Sequence, residues 1–312
     1  MKLSNLFNDC VRVAQGLRKG SARSAREWLK SMTILALLLI ISIGNAWGAN
    51  VTGTFTKITS TSALTTGYYI IVASESASTN NKAVGASLTA SNNRIPGVTV
   101  TITSGTTISN PDEALVYLIT KTNSNYTFYN VSTSKYMYQY STTSGKGMGF
   151  RDASANITCA GYSADSPIGF QFTLDGASNN KLKWNNGNSW FANYANDYST
   201  TMAPVRMFKA YKVTYDGNGK TGGTVPTDAT YYSGNGTTSV TTKTNTGNLE
   251  KNGFTFAGWN TRADGEGTHY DAGGSFTITA NTTLYAEWES AAPACANTVT
   301  INKGASTNCS LF

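Results

Sequence analysis

Apolar and polar residues alternate over short runs through most of the chain, which is the pattern of half-buried β-strands. The run Tyr69-Ile-Ile-Val72 is typical, and aligning such runs gives three strand types that each occur three times. The first type covers 69–72, 126–128 and 181–184, the second 83–85, 136–138 and 190–192, and the third 116–119, 169–172 and 205–208. Copies of the first two types follow one another at about 53 to 57 residues. Only Asn110-Pro-Asp-Glu113 indicates a helical turn.

Three copies of a four-strand unit over residues 50–210 predict a β-trefoil-like domain, because a period this long in an all-β segment indicates a repeat architecture. The stretch from Tyr126 to Met137, a strand, a polar turn and an aromatic-led strand, resembles ricin-type lectin-like modules. The Gln-x-Trp signature of that family is missing, since Phe172 and Thr173 follow Gln171. A sandwich of eight to twelve strands is the alternative fold.

A second region of alternation begins near Tyr211. Its strand-like runs are separated by turn sequences rich in Gly, Asn and Asp. Three blocks follow in order: Tyr211-Lys-Val-Thr-Tyr215-Asp-Gly217-Asn-Gly219, Gly253-Phe-Thr-Phe256-Ala-Gly258-Trp259-Asn-Thr261 and Thr283-Leu-Tyr285-Ala-Glu-Trp288.

These blocks resemble the Listeria–Bacteroides repeat, also called the internalin B-type repeat, over residues 209–289. The resemblance implies a bacterial surface or secreted protein and a small β-grasp-like module at 211–289. It also implies that five apolar residues form the module's core: Phe254, Phe256, Trp259, Leu284 and Trp288. The overall prediction is an all-β chain with two different β modules.

The amino terminus carries targeting features. Residues 1–31 contain seven basic and two acidic side chains, an apolar run follows over 32–43, and small residues lie at Ala46 and Gly48. This order predicts a signal peptide over 1–48 with cleavage near Ala49. The alternative is an uncleaved anchor, but the run is short of the roughly 20 residues that a spanning helix needs.

Removal of that peptide changes the charge. It lowers the formal net charge from +7 to +2, so the mature chain lacks the basic surface of a nucleic-acid-binding protein. The prediction is a protein with no nucleic-acid partner and, after cleavage, no membrane association.

Residues 290–312 are predicted to be a linker and the truncated start of a further module. Cys295 and Cys309 could pair, which would leave Cys159 as a buried thiol.

Catalytic chemistry has little support. His269 is the only histidine and lies in a Gly-rich turn, and acidic residues occur mostly in turn contexts, as Asp favours. Asp264 and Glu266 could help to hold calcium, but EF-hand spacing is absent. We therefore predict no catalytic residue, no metal and no cofactor.

Aromatic residues beside an Asn-rich turn form the candidate site. Sugar rings lay their apolar faces on aromatic planes, while amides bind their hydroxyl groups. Trp184, on a regular strand, is predicted to be core. The predicted carbohydrate-binding residues are Asn185, Asn186, Asn188, Trp190, Tyr194 and Tyr140.

These features predict an exported, non-enzymatic protein that acts in adhesion or carbohydrate binding, with glycans or host and cell-surface proteins as partners. Two alternatives stay open at this point. The chain could be a passive structural stalk of a larger surface protein, or it could supply accessory modules of an extracellular hydrolase.

Overall fold

The computed structural model describes residues 49–74, 81–90, 93–140, 147–165, 168–174, 181–194 and 201–291. The predicted signal peptide, Cys295, Cys309 and nearly all of the predicted linker lie outside these residues. The described part is all-β apart from one turn of 3-10 helix, Glu113–Leu115. Asp112 caps that turn, since its side chain accepts a 2.8 Å hydrogen bond from the Ala114 N–H, so the helical turn begins at Glu113, where the predicted one ends.

Among the described residues, fifteen strands lie between residues 54 and 211, and they contain eight of the nine predicted runs whole and residues 83–84 of the ninth. They are β1 (Thr54–Ile58), β2 (Gly67–Ala73), β3 (Lys82–Val84), β4 (Ile95–Thr99), β5 (Thr107–Ser109), β6 (Val116–Thr122), β7 (Asn125–Asn130), β8 (Lys135–Gln139), β9 (Met148–Arg151), β10 (Ile157–Ser163), β11 (Gly169–Leu174), β12 (Lys181–Asn185), β13 (Trp190–Tyr194), β14 (Met202–Ala203) and β15 (Val205–Tyr211).

Six of these strands pair into a closed ring. The order is β2, β6, β7, β10, β11 and β15, and β15 returns to β2 with six residues in antiparallel register. The first and third strand types supply five members of the ring. The sixth, β10, lies between β7 and β11, and β12 joins β11 at one residue pair, so the three copies are not equivalent.

Alternation along these strands divides the apolar side chains between two clusters. Val72 packs in one cluster and its neighbours Ile71 and Ala73 in the other. The larger cluster contains Phe128, Phe170 and Phe172, among other rings, and is dense in aromatic contacts. Both faces of β2 are therefore buried, which explains why it is a nearly continuous apolar run.

The region after β15 forms a second set of strands: β16 (Val213–Asp216), β17 (Tyr232–Ser233), β18 (Ser239–Thr241), β19 (Phe254–Asn260), β20 (His269–Tyr270), β21 (Ser275–Thr277) and β22 (Thr282–Ser290). A four-stranded sheet has the order β16-β22-β19-β20, and β16 runs parallel to β22. A third core cluster lies here, with Trp259 and Leu284 fully buried as predicted.

Two of the five predicted core residues are only half-buried, and the prediction that Phe254 is core is wrong. Phe256 and Trp288 pack against the cluster from its edge. The side chain of Phe254 is 43% exposed. The resemblance to the repeat implied that Phe254 is core, but the core ends before it reaches the start of β19.

The two regions are joined without a linker. β15 ends at Tyr211 and β16 begins at Val213, while β17 returns to pair with the end of β15. Tyr231 is 3% exposed and packs in the cluster of the first region, with its ring centroid 5.2 Å from Phe55 and 5.1 Å from Tyr68. A residue of the second region therefore completes the core of the first.

We expect Tyr231→Ala to uncouple the two regions. Truncating a buried aromatic side chain costs about 3–5 kcal/mol, because its contacts are lost and a cavity is left. Scanning calorimetry of the full chain should show one transition, which the variant splits into two. Tyr140→Ala is the control, because Tyr140 is 59% exposed. A single unshifted transition in Tyr231→Ala would show that the contact contributes nothing.

Candidate functional site

The candidate site is built on the hairpin of β12 and β13. These strands pair in antiparallel register from Lys181 opposite Tyr194 to Asn185 opposite Trp190. The connecting turn is closed by Asn185, whose Oδ1 accepts a 3.1 Å hydrogen bond from the Asn188 N–H. Ser189 then takes a left-handed conformation with φ 56°. Such side-chain-to-backbone bonds are the reason that Asn favours tight turns.

Three of the predicted site residues converge on one hydroxyl group. The Tyr194 oxygen accepts hydrogen bonds from Asn185 Nδ2 at 2.8 Å and from Trp190 Nε1 at 2.9 Å. Trp190 and Tyr194 share one face of β13, as their spacing of four requires in a strand. The Trp190 indole is thereby fixed at its polar end.

Asn185 cannot offer its amide to a ligand in this arrangement. The residue is 5% exposed, its Nδ2 is bonded to Tyr194 and its Oδ1 to the turn. Asn186 and Asn188 are exposed, and Trp190 is half-exposed. The surface that the hairpin presents is therefore an indole with two exposed amides beside it, while Asn185 and Tyr194 position that indole.

Tyr140 lies apart from this group. It is 59% exposed and follows the end of β8. Its N–H and the side-chain Nδ2 of Asn193 both donate to the Gly147 carbonyl, at 3.1 and 3.0 Å. Among the described residues, no hydrogen bond or ring contact joins Tyr140 to Trp190 or Tyr194.

Trp184 is core, as predicted, although it is only six residues from Trp190. It is 1% exposed, and its ring centroid lies 4.8 Å from that of Phe191. The ring also covers Gly97, where an added Cβ would come within 2.5 Å of it. Gly97 is therefore needed for the close approach of β4 to this indole.

Titratable groups in the second region make ion pairs and turns. His269 Nδ1 lies 2.7 Å from Glu287 Oε2, and Nε2 lies 3.4 Å from Asp271 Oδ1. The hydrogen bond to Glu287, followed by that to Asp271, raises the pKa of His269 above its ordinary value. Asp264, a calcium candidate, pairs with Arg262 and accepts the Glu266 N–H, and both bonds close a turn. Across the described ranges, no group of three His, Cys, Asp or Glu side chains could hold a metal.

Asp228 is the buried acid of this region. Burial opposes its ionisation, but hydrogen bonds from the Thr230 N–H and the Tyr232 hydroxyl, at 2.9 and 2.8 Å, stabilise the carboxylate. The Lys243 ammonium, 3.5 Å away, adds to them. The pKa of Asp228 is therefore lowered below its ordinary value.

The Cys159 thiol is free and half-buried, and it donates to the Gly161 carbonyl at 3.5 Å. Burial raises its pKa. Such a thiol is a poor nucleophile, because the thiolate is the reactive form. The predicted buried free thiol is thus present, though only partly covered.

Comparison with known proteins identifies the second region. The family model of the Listeria-Bacteroides repeat domain matches residues 211–287. This confirms the resemblance of those residues to that repeat, whose strands β16 and β22 form the parallel pair of the small sheet.

Two relatives, both from Evansella cellulosilytica, match parts of the chain. One, described as a Gly-rich membrane protein, is 33% identical over 135 residues, which are 43% of this chain and 15% of the relative. The other, described as a membrane protein, is 39% identical over 82 residues, 26% of this chain and 12% of the relative. The matches thus span less than one sixth of either relative. No solved structure matches the chain.

No helix among the residues that the structure describes is both long and apolar enough to span a bilayer.

We expect Tyr194→Phe to destabilise the hairpin. The change removes the acceptor of two N–H groups, and the buried Asn185 Nδ2 is left without a partner, at a cost of about 1–3 kcal/mol. Urea unfolding of the full chain measures the loss. Tyr140→Phe removes a hydroxyl from an exposed ring and should change stability by less than about 0.5 kcal/mol. Equal urea midpoints for the two variants would show that the Tyr194 hydroxyl does not stabilise the hairpin.

The repeat should lose stability in acid through Asp228. A carboxyl whose folded pKa is lowered contributes stability above its ordinary pKa of 3.8 and loses it as the pH falls through the folded value. Thermal unfolding between pH 7 and pH 2 should show this loss below about pH 4. Asp228→Asn should lower stability at pH 7 and reduce its pH dependence. Asp216→Asn, on an exposed acid, is the control. An unchanged pH profile in Asp228→Asn would contradict the assignment.

Proposed function

We propose that this chain is part of an exported, non-enzymatic bacterial surface or secreted protein that binds carbohydrate through the β12–β13 hairpin. The Listeria-Bacteroides repeat at 211–287 and the membrane-protein descriptions of the two relatives support a place at the cell surface. The signal peptide at 1–48, the domain division near Tyr211 and the choice of glycans over other surface partners are part of the same proposal.

The proposed folds are a β-trefoil-like amino-terminal domain and a β-grasp-like repeat module. Three kinds of strand in three copies, with six strands paired in a closed ring, support the first. The parallel pairing of β16 with β22, the first and last strands of the module, supports the second. Lectin-like binding at a hairpin outside the closed ring is compatible with that arrangement.

One observation carries the carbohydrate proposal: the indole of Trp190 is held by its own Nε1–H bond to Tyr194. A fixed ring loses little conformational entropy when a ligand stacks on it. The exposed amides of Asn186 and Asn188 lie in the adjoining turn and can donate to and accept from sugar hydroxyls. A pyranose with an apolar face and equatorial hydroxyl groups fits this combination.

Affinity at this site should be low. An indole and two amides provide little buried area, which corresponds to a Kd between about 1 mM and tens of micromolar, or about −4 to −6 kcal/mol. Useful adhesion would come from many copies on one surface, since multivalent display increases avidity without new contacts. The hairpins of the other two copies carry no Trp at the equivalent turn, so we propose one site per chain.

A glycan array probed with the full chain tests the proposal. We expect a neutral glycan to be retained, and Trp190→Ala to lower binding at least tenfold while the thermal midpoint stays within about 2 °C of the wild type. Phe254→Ala is the matched control, because it removes an exposed ring from the other module. Retention that is equal in wild type and Trp190→Ala, or absent from both, would contradict a carbohydrate site here.

The stalk function is the second candidate, and the junction at Tyr231 favours it. That contact and the β15–β17 pairing join the two regions with no intervening linker, which is the property of a spacer that keeps its shape. If the glycan array yields no ligand, the stalk function replaces carbohydrate binding as the proposed function.

The third candidate function is that of an accessory module beside a hydrolase. A catalytic module encoded in the same gene would support it.

A further inference from the structure

The sequence contains four Asn-Gly pairs, and each can react within the chain. The pairs begin at Asn186, Asn218, Asn235 and Asn252. In such a pair the backbone nitrogen of the glycine can attack the carbonyl carbon of the Asn side chain, because glycine has no Cβ to obstruct the approach. The fold decides which pair reacts, since a side chain held by hydrogen bonds must first break them to bring its carbon to that nitrogen.

The pair at Asn186 is free to react. Asn186 and Gly187 lie in the turn between β12 and β13, and both are exposed. The Asn186 N–H donates to the Thr201 carbonyl at 3.0 Å, which anchors the backbone before the reacting atoms. Within the described ranges, neither the Asn186 side chain nor the Gly187 N–H makes a hydrogen bond. The attacking nitrogen and the attacked carbon are therefore adjacent in the chain and engaged with nothing else that the structure describes.

The side chain of Asn218 is held by two bonds. Its Nδ2 donates to the carbonyls of Ala263 and Ala286, at 2.8 and 3.0 Å. Its carbonyl oxygen accepts the Trp288 indole N–H at 3.0 Å. Attack by the following glycine would break these contacts, so this pair should react slowly.

The other two pairs are held by threonines. Asn235 Oδ1 accepts from the Thr237 N–H and the Thr238 hydroxyl, both at 3.0 Å. Asn252 Oδ1 accepts from the Thr221 hydroxyl at 3.3 Å, and the same hydroxyl accepts from the Asn252 N–H at 3.1 Å. The fold thus distinguishes Asn186 from three pairs of identical sequence.

The hairpin turn supplies its own comparison. Asn188 is exposed like Asn186, and its side chain makes no hydrogen bond in the part of the chain that the structure describes. It precedes Ser189, however, and the Ser side chain obstructs attack by the backbone nitrogen. Asn185 precedes Asn186 but is buried, with both of its side-chain groups bonded. Asn186 alone in this turn combines a free side chain with a following glycine.

The reaction consumes water and releases ammonia. The Gly187 nitrogen gives its proton to solvent and bonds to the side-chain carbon of Asn186, the bond from that carbon to Nδ2 breaks, and ammonia leaves a five-membered succinimide. Water then opens the ring at either carbonyl. One opening gives aspartate at position 186, and the other gives isoaspartate, in which the backbone runs through the side-chain carbon.

Both products alter the turn that Asn185 closes. Aspartate adds a negative charge four residues from Trp190. Isoaspartate adds one methylene carbon to the backbone between residues 185 and 188. The 3.1 Å hydrogen bond from the Asn188 N–H to Asn185 Oδ1 spans that segment. Such a bond depends on the length of the backbone that it closes, so the longer backbone should weaken it.

We propose that Asn186 is a site of spontaneous deamidation, and that this modification loosens the β12–β13 turn as the protein ages. A loosened turn with a carboxylate near the indole should bind carbohydrate less well. That last consequence rests on the function proposed above, whereas the deamidation and the loosening of the turn do not.

The test is incubation of the purified full chain in mildly alkaline buffer at physiological temperature. Proteolysis and mass spectrometry then identify each converted Asn from the mass of its peptide. In the folded chain, Asn186 should convert at least tenfold faster than Asn188 and than the Asn of each other Asn-Gly pair. In concentrated urea, which removes the hydrogen bonds, the four pairs should convert at similar rates.

Gly187→Ala is the matched variant. An added Cβ at this position would meet only Asn185 Oδ1, at 3.6 Å, which is an ordinary contact, so the turn should fold as before. The variant should slow conversion of Asn186 at least tenfold and leave that of Asn235 unchanged. Hydrogen exchange of the Asn188 amide should become faster in aged wild type than in fresh protein, and should not change in aged Gly187→Ala.

Two results would overturn the proposal. The first is that Asn186 in the folded chain converts no faster than Asn235 and Asn252. The second is conversion of Asn186 that leaves exchange of the Asn188 amide unchanged, because the turn would then be unaffected. Failure of fresh wild type to bind any glycan would contradict the proposed function alone, since the mass and exchange measurements need no ligand.

Discussion

The rest of the structure depends on β15, a strand of seven consecutive buried residues that pairs with β1, β2, β11 and β17. It closes the six-strand ring on one side and holds the repeat module on the other. The strand is buried on both faces although it contains Arg206 and Lys209. Burying a cation is costly unless hydrogen bonds replace its water, so the surroundings of these two residues decide whether β15 can occupy this position.

Both cations bond to oxygens at the two ends of β2. Arg206 Nε donates to the Ala73 carbonyl at 2.7 Å, and Lys209 Nζ donates to the Ala63 carbonyl and to Thr65 Oγ1 at 2.9 and 2.6 Å. The ring of Tyr211 lies 4.7 Å from the same ammonium. These bonds fix the end of β2 and the loop before it to the closing strand. These contacts hold β15 in the ring, and the end of the same strand pairs with β17.

The sequence allowed the strands to be predicted much better than their partners. Alternation gives the period and face of a strand, so the aligned runs and Trp184 were predictable, whereas the burial of Trp259 was implied by the resemblance to the repeat. It does not show which strand lies alongside, so the position of β10 between β7 and β11 was not predictable. Neither alternation nor the resemblance shows where a core ends, so the exposure of Phe254 was not predicted. Tyr231 was missed because no alternating run surrounds it.

Composition likewise predicts where polar groups are, but not whether a ligand can reach them. An Asn-rich turn predicts where amides are, but whether an amide can reach a ligand depends on the bonds that it already makes. Asn185 gives both of its side-chain groups to the fold, whereas Asn186 and Asn188 keep theirs outside it. In a chain so poor in charge, binding is expected where aromatic surface adjoins polar groups that folding has not used.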